Sequence, residues 1–325
     1  MKLRGYFRWN FLRFGGSFFL DPPLKIFKHT DNGSMLVLSL GKVPDAKKFS
    51  AVESFLVRHE KSCVSLLDRI YRHEVSVYCI LGDSHEIRGI FSYSQGGQIL
   101  HCIPDALQSY DEYLVILRIY FSNLNIQNVF SVIGEETGTN LILSAIFLAT
   151  KKIPESNQIF NLMEYNPRKE SAKAGLKVKP ARVDSVCVAN CSMKLLDALV
   201  PIQEAYEKEE VLTLEQEFNP LMSKFGLKKS ISEKNLYAAF LSGKIVAKAA
   251  VNASGKNCVQ LGGVFTLPNY RKLGFAEFLI KKIVAEKNAV GKKIVLFVKP
   301  KNLAAVTLYK RCGFSNFGKF KISYY

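Results

Sequence analysis

The sequence predicts an α/β (α+β) protein: a mixed, mostly antiparallel sheet with parallel strands at its centre and helices flanking it. Three observations predict it. Short apolar runs bounded by turn residues recur along the chain and read as antiparallel strands. The segment Phe275–Asn288 carries apolar residues at helical spacing. From Cys258 to the C-terminus the pattern is strand, helix, strand, helix, strand, and because β–α–β connections cross over on one side, the strands around the long helix should lie parallel and adjacent. At 325 residues and 48% hydrophobic content the chain can bury a real core and divides into two domains, 1–180 and 181–325.

In chain order, the N-terminal text "MKLRGYFRWNFLRFGGSFFLDPP" is apolar but broken by Arg4, Arg8 and Arg13, which argues against a secretory signal. No stretch approaches the roughly 18 to 20 apolar residues that span a bilayer, so a cytoplasmic location is expected. Runs at 75–81, 87–94 and 98–103, bounded by "GDSHE" and "QGGQ", read as strands; a helix (109–122), a strand (127–133) and a helix (138–150) follow. Between 157 and 179 the text turns polar, basic and Pro/Gly-punctuated, which suits a linker, and the boundary falls near Pro180. Beyond it come a strand near 182–189, an amphipathic helical region from Met193 to Glu210, and strands at 236–241, 245–252 and 258–266. In "FAEFLIKKIVAEKN", Phe275, Leu279, Ile283 and Ala276, Ile280, Val284 share a face, while Lys281, Lys282 and Lys287 mostly take the other. The strand "KIVLFVK", a short helix "NLAAVTLYKRCGF" ending at Gly313 and an aromatic strand complete the chain.

The net charge is +17 and it is concentrated late: residues 271–325 carry 13 Lys/Arg against 2 Asp/Glu. Such a field draws polyanions, whether nucleic acid, an anionic membrane surface or a phosphorylated small molecule. Cys63, Cys79, Cys102, Cys187, Cys191, Cys258 and Cys312 form no CxxC pair and have no histidine at zinc spacing, so buried thiols are expected and no metal.

The turn "YRKLGFAE", Tyr270–Glu277, joins a strand to a helix. A helix N-terminus there would expose unpaired N–H groups at the positive end of the dipole, where a phosphate is best held. Gly274 and Ala276 keep side chains out of the way, Arg271 and Lys272 add charge, and no GxxxxGK[ST] loop is present. Gly262 and Gly263 interrupt the preceding strand, as glycines do at a bulge or where a ligand meets the backbone. Asn302 and Tyr309, seven residues apart, face the same way on the next helix.

This ordered constellation resembles the GNAT superfamily of CoA-dependent N-acyltransferases, from "GGVFTLPNYRKLGFAEFL" through "LFVKPKNLAAVTLYKRCGF" and more loosely from Arg182 to the end. The resemblance implies the GNAT fold, in which two central parallel strands splay, and acetyl-CoA or another acyl-CoA as co-substrate. It implies that main-chain groups of Val264, Phe265 and Thr266 meet the pantetheine arm, and that the turn of Arg271, Lys272, Leu273, Gly274, Phe275 and Ala276 cradles the pyrophosphate. Asn302 would meet the pantetheine and Tyr309 would lie near the thioester sulfur. A phenol pKa near 10 against about 8.5 for a thiol makes Tyr309 a mildly uphill proton donor; a packed aromatic and, for Asn302, a helix cap are the plainer alternatives.

The base is less legible. No histidine follows His101, and the two splayed strands offer Gln260 but no carboxylate, a departure from many relatives. The acidic run Glu207, Glu209, Glu210, Glu215, Glu217 lies where relatives bind the acceptor; Glu210 is the first choice for the base, against a water chain or a merely solvated acidic face. The first half resembles a worn copy of the second without the Arg-x-x-Gly-x-Ala turn, which suggests a tandem arrangement with a non-catalytic GNAT-like partner domain, an unrelated α/β domain being the alternative. The expected activity is transfer of an acetyl group to a primary amine of a small molecule or peptide. A non-catalytic acyl-CoA-sensing module and a tRNA- or nucleic-acid-directed transferase are the alternatives. Acceptor, acyl length and oligomeric state are not legible.

Overall fold

A computed structural model describes residues 25–30, 33–123, 128–170, 186–212 and 217–325. The first half supplies β1 (Lys25–Thr30), β2 (Gly33–Gly41), α1 (Ala46–Arg58), α2 (Glu60–Tyr71), β3 (Ser76–Leu81), β4 (Ile87–Tyr93), β5 (Gln98–Cys102), α3 (Tyr110–Asn123), β6 (Ser131–Glu135), α4 (Glu136–Thr150) and β7 (Ser156–Glu170). The second supplies β8 (Val186–Asn190), α5 (Leu196–Tyr206), a π-turn (Glu207–Val211), α6 (Pro220–Ser232), β9 (Leu236–Leu241), β10 (Lys244–Ser254), β11 (Cys258–Thr266), α7 (Phe275–Ala289), β12 (Lys293–Val298), α8 (Leu303–Arg311) and β13 (Cys312–Tyr324).

From β2 onward the two series have the same order, and the sheet makes the repeat visible. All thirteen strands lie in one sheet, β1-β2-β3-β4-β5-β6-β13-β7-β12-β11-β10-β9-β8. Each half is antiparallel except for one parallel pair, β5 with β6 and β11 with β12, flanking α3 and α7 respectively. The last strands are exchanged: β7 pairs with β12 of the second half, β13 pairs with β6 of the first, and the two pair with each other along their length. Separating the halves would therefore tear three strand ladders. The expected boundary near Pro180 lies outside the described residues.

The 157–179 linker expectation is corrected over its first part, because residues up to Glu170 form the central strand β7. The polar residues that suggested a linker find partners far away in sequence. Asn157 accepts from the Ser323 hydroxyl at 2.7 Å, Asn161 accepts from Lys319 Nζ at 2.7 Å, and Glu164 pairs with Lys61 Nζ at 2.6 Å. Between them Phe160 and Leu162 pack with Phe320 under the sheet.

Both halves cover the two faces of the sheet alike. In the second half, α7 buries Phe275, Leu279 and Ile283 against Val246, Ala249, Ile294 and Leu296 on one face. Each such side chain is 0–1% exposed and contributes about 1.5–3 kcal/mol by leaving water. On the opposite face α5 and α6 pack Leu199, Ile202, Leu227 and Ile231 over Ala238, Ala250 and Phe265. In the first half α3 and α4 take the first role and α1 and α2 the second. Asn219 starts α6 by accepting from the N–H groups of Leu221 and Met222 at 3.1 Å, with Pro220 where its missing N–H costs nothing. Cys63, Cys79, Cys102, Cys191, Cys258 and Cys312 are buried and unbridged.

Candidate functional site

β11 and β12 pair in parallel over three residues only, Cys258–Gln260 with Lys293–Val295, and then diverge. Where they part, β11 is bulged. Between the pairs Ala250↔Gly262 and Lys248↔Phe265, the single residue Ala249 faces both Gly263 and Val264. Gly263 has φ +58°, a conformation that other residues adopt only at a cost, and a Cβ on Gly262 would collide with the Asn252 side chain. These two requirements explain the glycine pair.

After β11 the chain makes a 3₁₀ turn, Pro268–Tyr270, and enters α7 through Lys272 at φ +63° and Gly274 at φ +94°. Gly274 is the N-cap of α7 and has no side chain to cap it. The first bond into the helix runs from the Phe278 N–H to the Gly274 carbonyl at 3.0 Å. Among the described residues, no acceptor meets the N–H groups of Lys272, Leu273, Gly274, Phe275 or Ala276. The Arg271 amide is different: expected as part of the cradle, it donates to the Pro268 carbonyl at 3.2 Å because the 3₁₀ turn needs it. The run of amides without an acceptor among the described residues therefore begins one residue later.

The side chains of the turn are also partly engaged. Arg271 places both oxygens of Glu209 within 2.8 Å of its Nη2 and donates from Nε to the Thr266 carbonyl at 3.1 Å. Lys272 and Leu273 are exposed, Phe275 is core and Ala276 is half-buried. On β11, Phe265 is buried under the Tyr206 ring, Val264 is half-buried, and the Thr266 hydroxyl is buried with no hydrogen-bond partner among the described residues.

Across the gap, Asn302 caps α8 by accepting from the Ala305 N–H at 3.1 Å, and its amide donates to Glu210 Oε1 at 3.2 Å. Lys299 Nζ donates to the Glu210 carbonyl at 2.8 Å. The π-turn thus straddles the diverging strands, tied to the β11 side by Glu209 and to the β12 side by Glu210. Wide turns of this kind recur at functional sites. The cap and ligand readings of Asn302 are compatible, since the cap uses Oδ1. Asn302→Ala is expected to lower stability by about 1 kcal/mol, measured by urea unfolding, for loss of the cap.

Tyr309 is 8% exposed and stacks edge-on against Phe314. Burial, with Tyr206 and Cys312 nearby, pushes its phenol well above the ordinary tyrosine value. The mildly uphill donor expected from free-phenol chemistry is therefore a more reluctant acid, because its anion has little water to stabilise it.

Two features escaped the sequence reading. Lys248 on β10 is 2% exposed, with Nζ 3.0 Å from the Gly263 carbonyl and 3.8 Å from the centroid of the Tyr206 ring. Burial pushes its ammonium down to about 7, against some opposition from Glu207. Its signal was a single charge inside the apolar run "IVAKAAV". The second feature is a cavity of about 420 Å³ with walls from both halves: Asp68, Arg69 and Arg72 of α2, Tyr206 and Glu207, α6, and Asn252 on β10. Arg72 pairs with Asp68 and Glu233, and Lys229 with Glu74. Glu207 is bonded by neutral groups, Gln203 Nε2 at 2.7 Å and the Ser223 hydroxyl at 2.9 Å. Of the acidic run, Glu207 and not Glu210 lines this cavity; Glu215 lies outside the described residues.

In the first half the equivalent gap is filled. β5 and β6 pair over Gln98–Leu100 and Ser131–Ile133, and the next residue, His101, plugs the point of divergence. It is 2% exposed, its Nε2 lies 2.8 Å from the Thr139 hydroxyl, and a Cβ on Gly134 or Gly138 would collide with its ring. Burial pushes the imidazole down to about 3, so it stays neutral.

Comparison with known proteins gives a consistent picture. Residues 199–314 match the acetyltransferase (GNAT) family model. A GNAT-family acetyltransferase from Colwellia psychrerythraea superposes with a TM-score of 0.54 at 12% identity, over 89% of this chain and 99% of its own. A Drosophila protein does so with 0.58 at 12% identity, over 87% and 97%. A tandem GNAT protein from the clavulanic acid biosynthesis pathway, solved without AcCoA, gives 0.53 at 7% identity, over 89% and 97%. A search of curated proteins returns no significant sequence match. At such identities the solved structures share the fold with this chain, across both halves.

Proposed function

From the match of residues 199–314 to the acetyltransferase (GNAT) family model we propose that the protein is an acyl-CoA-dependent N-acyltransferase acting on a primary amine. One observation carries the reading. The amides of Lys272–Ala276, which meet no acceptor among the described residues, stand at the N-terminus of α7, beside the gap where β11 and β12 part. A phosphate gains from both the N–H groups and the helix dipole there.

In this reading the amides of Lys272 to Ala276 hold the diphosphate, with the Lys272 side chain adding charge and Arg271 dividing itself between the ligand and Glu209. Main-chain groups of Val264, Phe265 and Thr266, and Asn302 from the other side, hold the pantetheine. The bound acyl-CoA supplies an activated thioester carbonyl. The cavity beneath α5 and α6 receives the amine, and Glu207 in its wall favours a cationic acceptor. Glu210, held by Asn302 at the end of the gap, is the proposed proton acceptor, and Tyr309 donates to the departing sulfur. The first half serves as a structural partner: His101 fills its own gap, while its α2 walls the acceptor cavity.

The test begins with a thermal-shift series of acetyl-CoA, longer acyl-CoAs and CoA. A true ligand at a hundredfold excess over its Kd stabilises by about 2.7 kcal/mol. Thiol release is then followed with a panel of small amines and peptides. Tyr309→Phe is expected to lower kcat by about 100-fold or more while acetyl-CoA binding is retained. Full activity in that variant removes Tyr309 from the reaction, and absence of any stabilisation by CoA compounds removes the acyl-CoA reading itself.

A further inference from the structure

Lys248 requires an explanation that packing does not supply. Removing an ammonium from water is costly, and among the described residues no carboxylate lies within bonding distance of this one to offset it. The groups facing it are the Tyr206 ring on α5, Glu207 on the π-turn, Cys191 beyond β8 and the Gly263 carbonyl on β11. Its single direct bond goes to the bulge residue with φ +58°.

The geometry of the peptide unit gives that bond a consequence. In a trans peptide the C=O and the following N–H point in opposite directions. Holding the Gly263 carbonyl on the Lys248 side therefore fixes the Val264 N–H on the side of β11 away from Lys248. Gly263 and Val264 both fall in the bulge, neither with a one-to-one partner in the β10 register. A bulge at Gly263 has the freedom to let the peptide rotate; the ammonium removes it.

We propose that Lys248 is a positioning residue whose charged Nζ clasps the Gly263 carbonyl and so orients the Val264 N–H toward the acyl-CoA, coupling the protonation of Lys248 to acyl-CoA binding. The coupling rests on the acyl-CoA reading; the clasp itself does not. By linkage, whatever the proton does for the ligand the ligand does for the proton, so acyl-CoA binding should draw a proton onto Lys248. The neutral amine still donates, but a charge-assisted bond is about twice as strong.

The experiment has two arms, both using the full chain and Lys248→Met, which keeps the length and removes the charge. In the ligand-free arm, the amide resonances of Gly263 and Val264 are followed by NMR between pH 5.5 and 9. They are expected to titrate with a midpoint near 7 in the wild type and to be flat in Lys248→Met. In the second arm, acetyl-CoA affinity is measured by calorimetry at pH 6 and pH 8.5 in buffers of different ionisation enthalpy. Wild-type affinity should fall by about tenfold more than that of the variant over this range, with greater proton uptake in the wild type than in the variant. Subtracting the variant cancels titration of the ligand phosphate. Flat Gly263 and Val264 resonances in the wild type overturn the clasp. Equal pH dependence of the two proteins overturns the coupling. If acetyl-CoA binds neither protein, the acyl-CoA reading falls and the coupling with it, while the clasp is still decided by the ligand-free titration.

Discussion

Gly274→Glu is expected to weaken acetyl-CoA binding by at least about 100-fold, since an unpaired like charge at a binding site costs several kcal/mol and each 1.4 kcal/mol is tenfold. The amides of its neighbours Lys272, Leu273, Phe275 and Ala276 meet no acceptor among the described residues, so a carboxylate there occupies the place proposed for a diphosphate. Two effects must be separated. At φ +94° any side chain brings strain of about 1–2 kcal/mol. Gly274→Ala carries the strain without the charge and is expected to lose less than about tenfold in affinity. Calorimetric titration of both variants, with melting temperatures to show that each is folded, gives the comparison. Equal losses in the two variants would mean that geometry alone matters there and that the turn does not read negative charge.

Lys248→Met is expected to stabilise the ligand-free protein below neutral pH by about 3 kcal/mol, a net of roughly 5 for the buried charge less about 1–2 for leaving the Gly263 carbonyl unpaired. The sign follows from the direction of the shift. The folded-state value is depressed from 10.5 to about 7, so the unfolded chain binds the proton more tightly. Below 7 both states are protonated and the full penalty is present. Between 7 and 10.5 the folded protein has lost the proton and the unfolded chain has not, so wild-type stability gains with rising pH and the advantage of the variant shrinks. Urea unfolding at pH 6 and pH 9 measures this difference. A variant less stable than the wild type at pH 6 would show that the ammonium is better solvated than its 2% exposure implies.

The parts of this protein that sequence made legible are those whose causes are local. The turn from Arg271 to Ala276 was readable because a helix start with glycine and two cations is specified within eight residues. The parallel arrangement of β11 and β12 followed from the connection between them. The short helix after β12 was readable from its sequence, whereas the burial that raises the Tyr309 phenol was not. What was hidden depends on distant partners. β7 looked like a linker because Asn157, Asn161 and Glu164 are satisfied by Ser323, Lys319 and Lys61, from 103 to 166 positions away. The exchange of β7 and β13 between halves is invisible for the same reason, since each strand alone is merely a strand. Glu207 and Glu210 were indistinguishable as members of one acidic run. The π-turn separates them, sending one carboxylate into the cavity and the other to Asn302.

Arg271 pairs with Glu209, and both are about 40% exposed, so the pair is worth little and the proposed diphosphate can displace it. The amides behind it need no such exchange.

Hydrogen exchange of the backbone amides of residues 272–276, with and without acetyl-CoA, therefore tests the account most directly. The predicted result is strong protection of these amides by acetyl-CoA and by CoA, and none by acetyl-pantetheine, which lacks the phosphates. Protection elsewhere with these five amides unchanged would contradict it, because the diphosphate would then be held by something other than the start of α7.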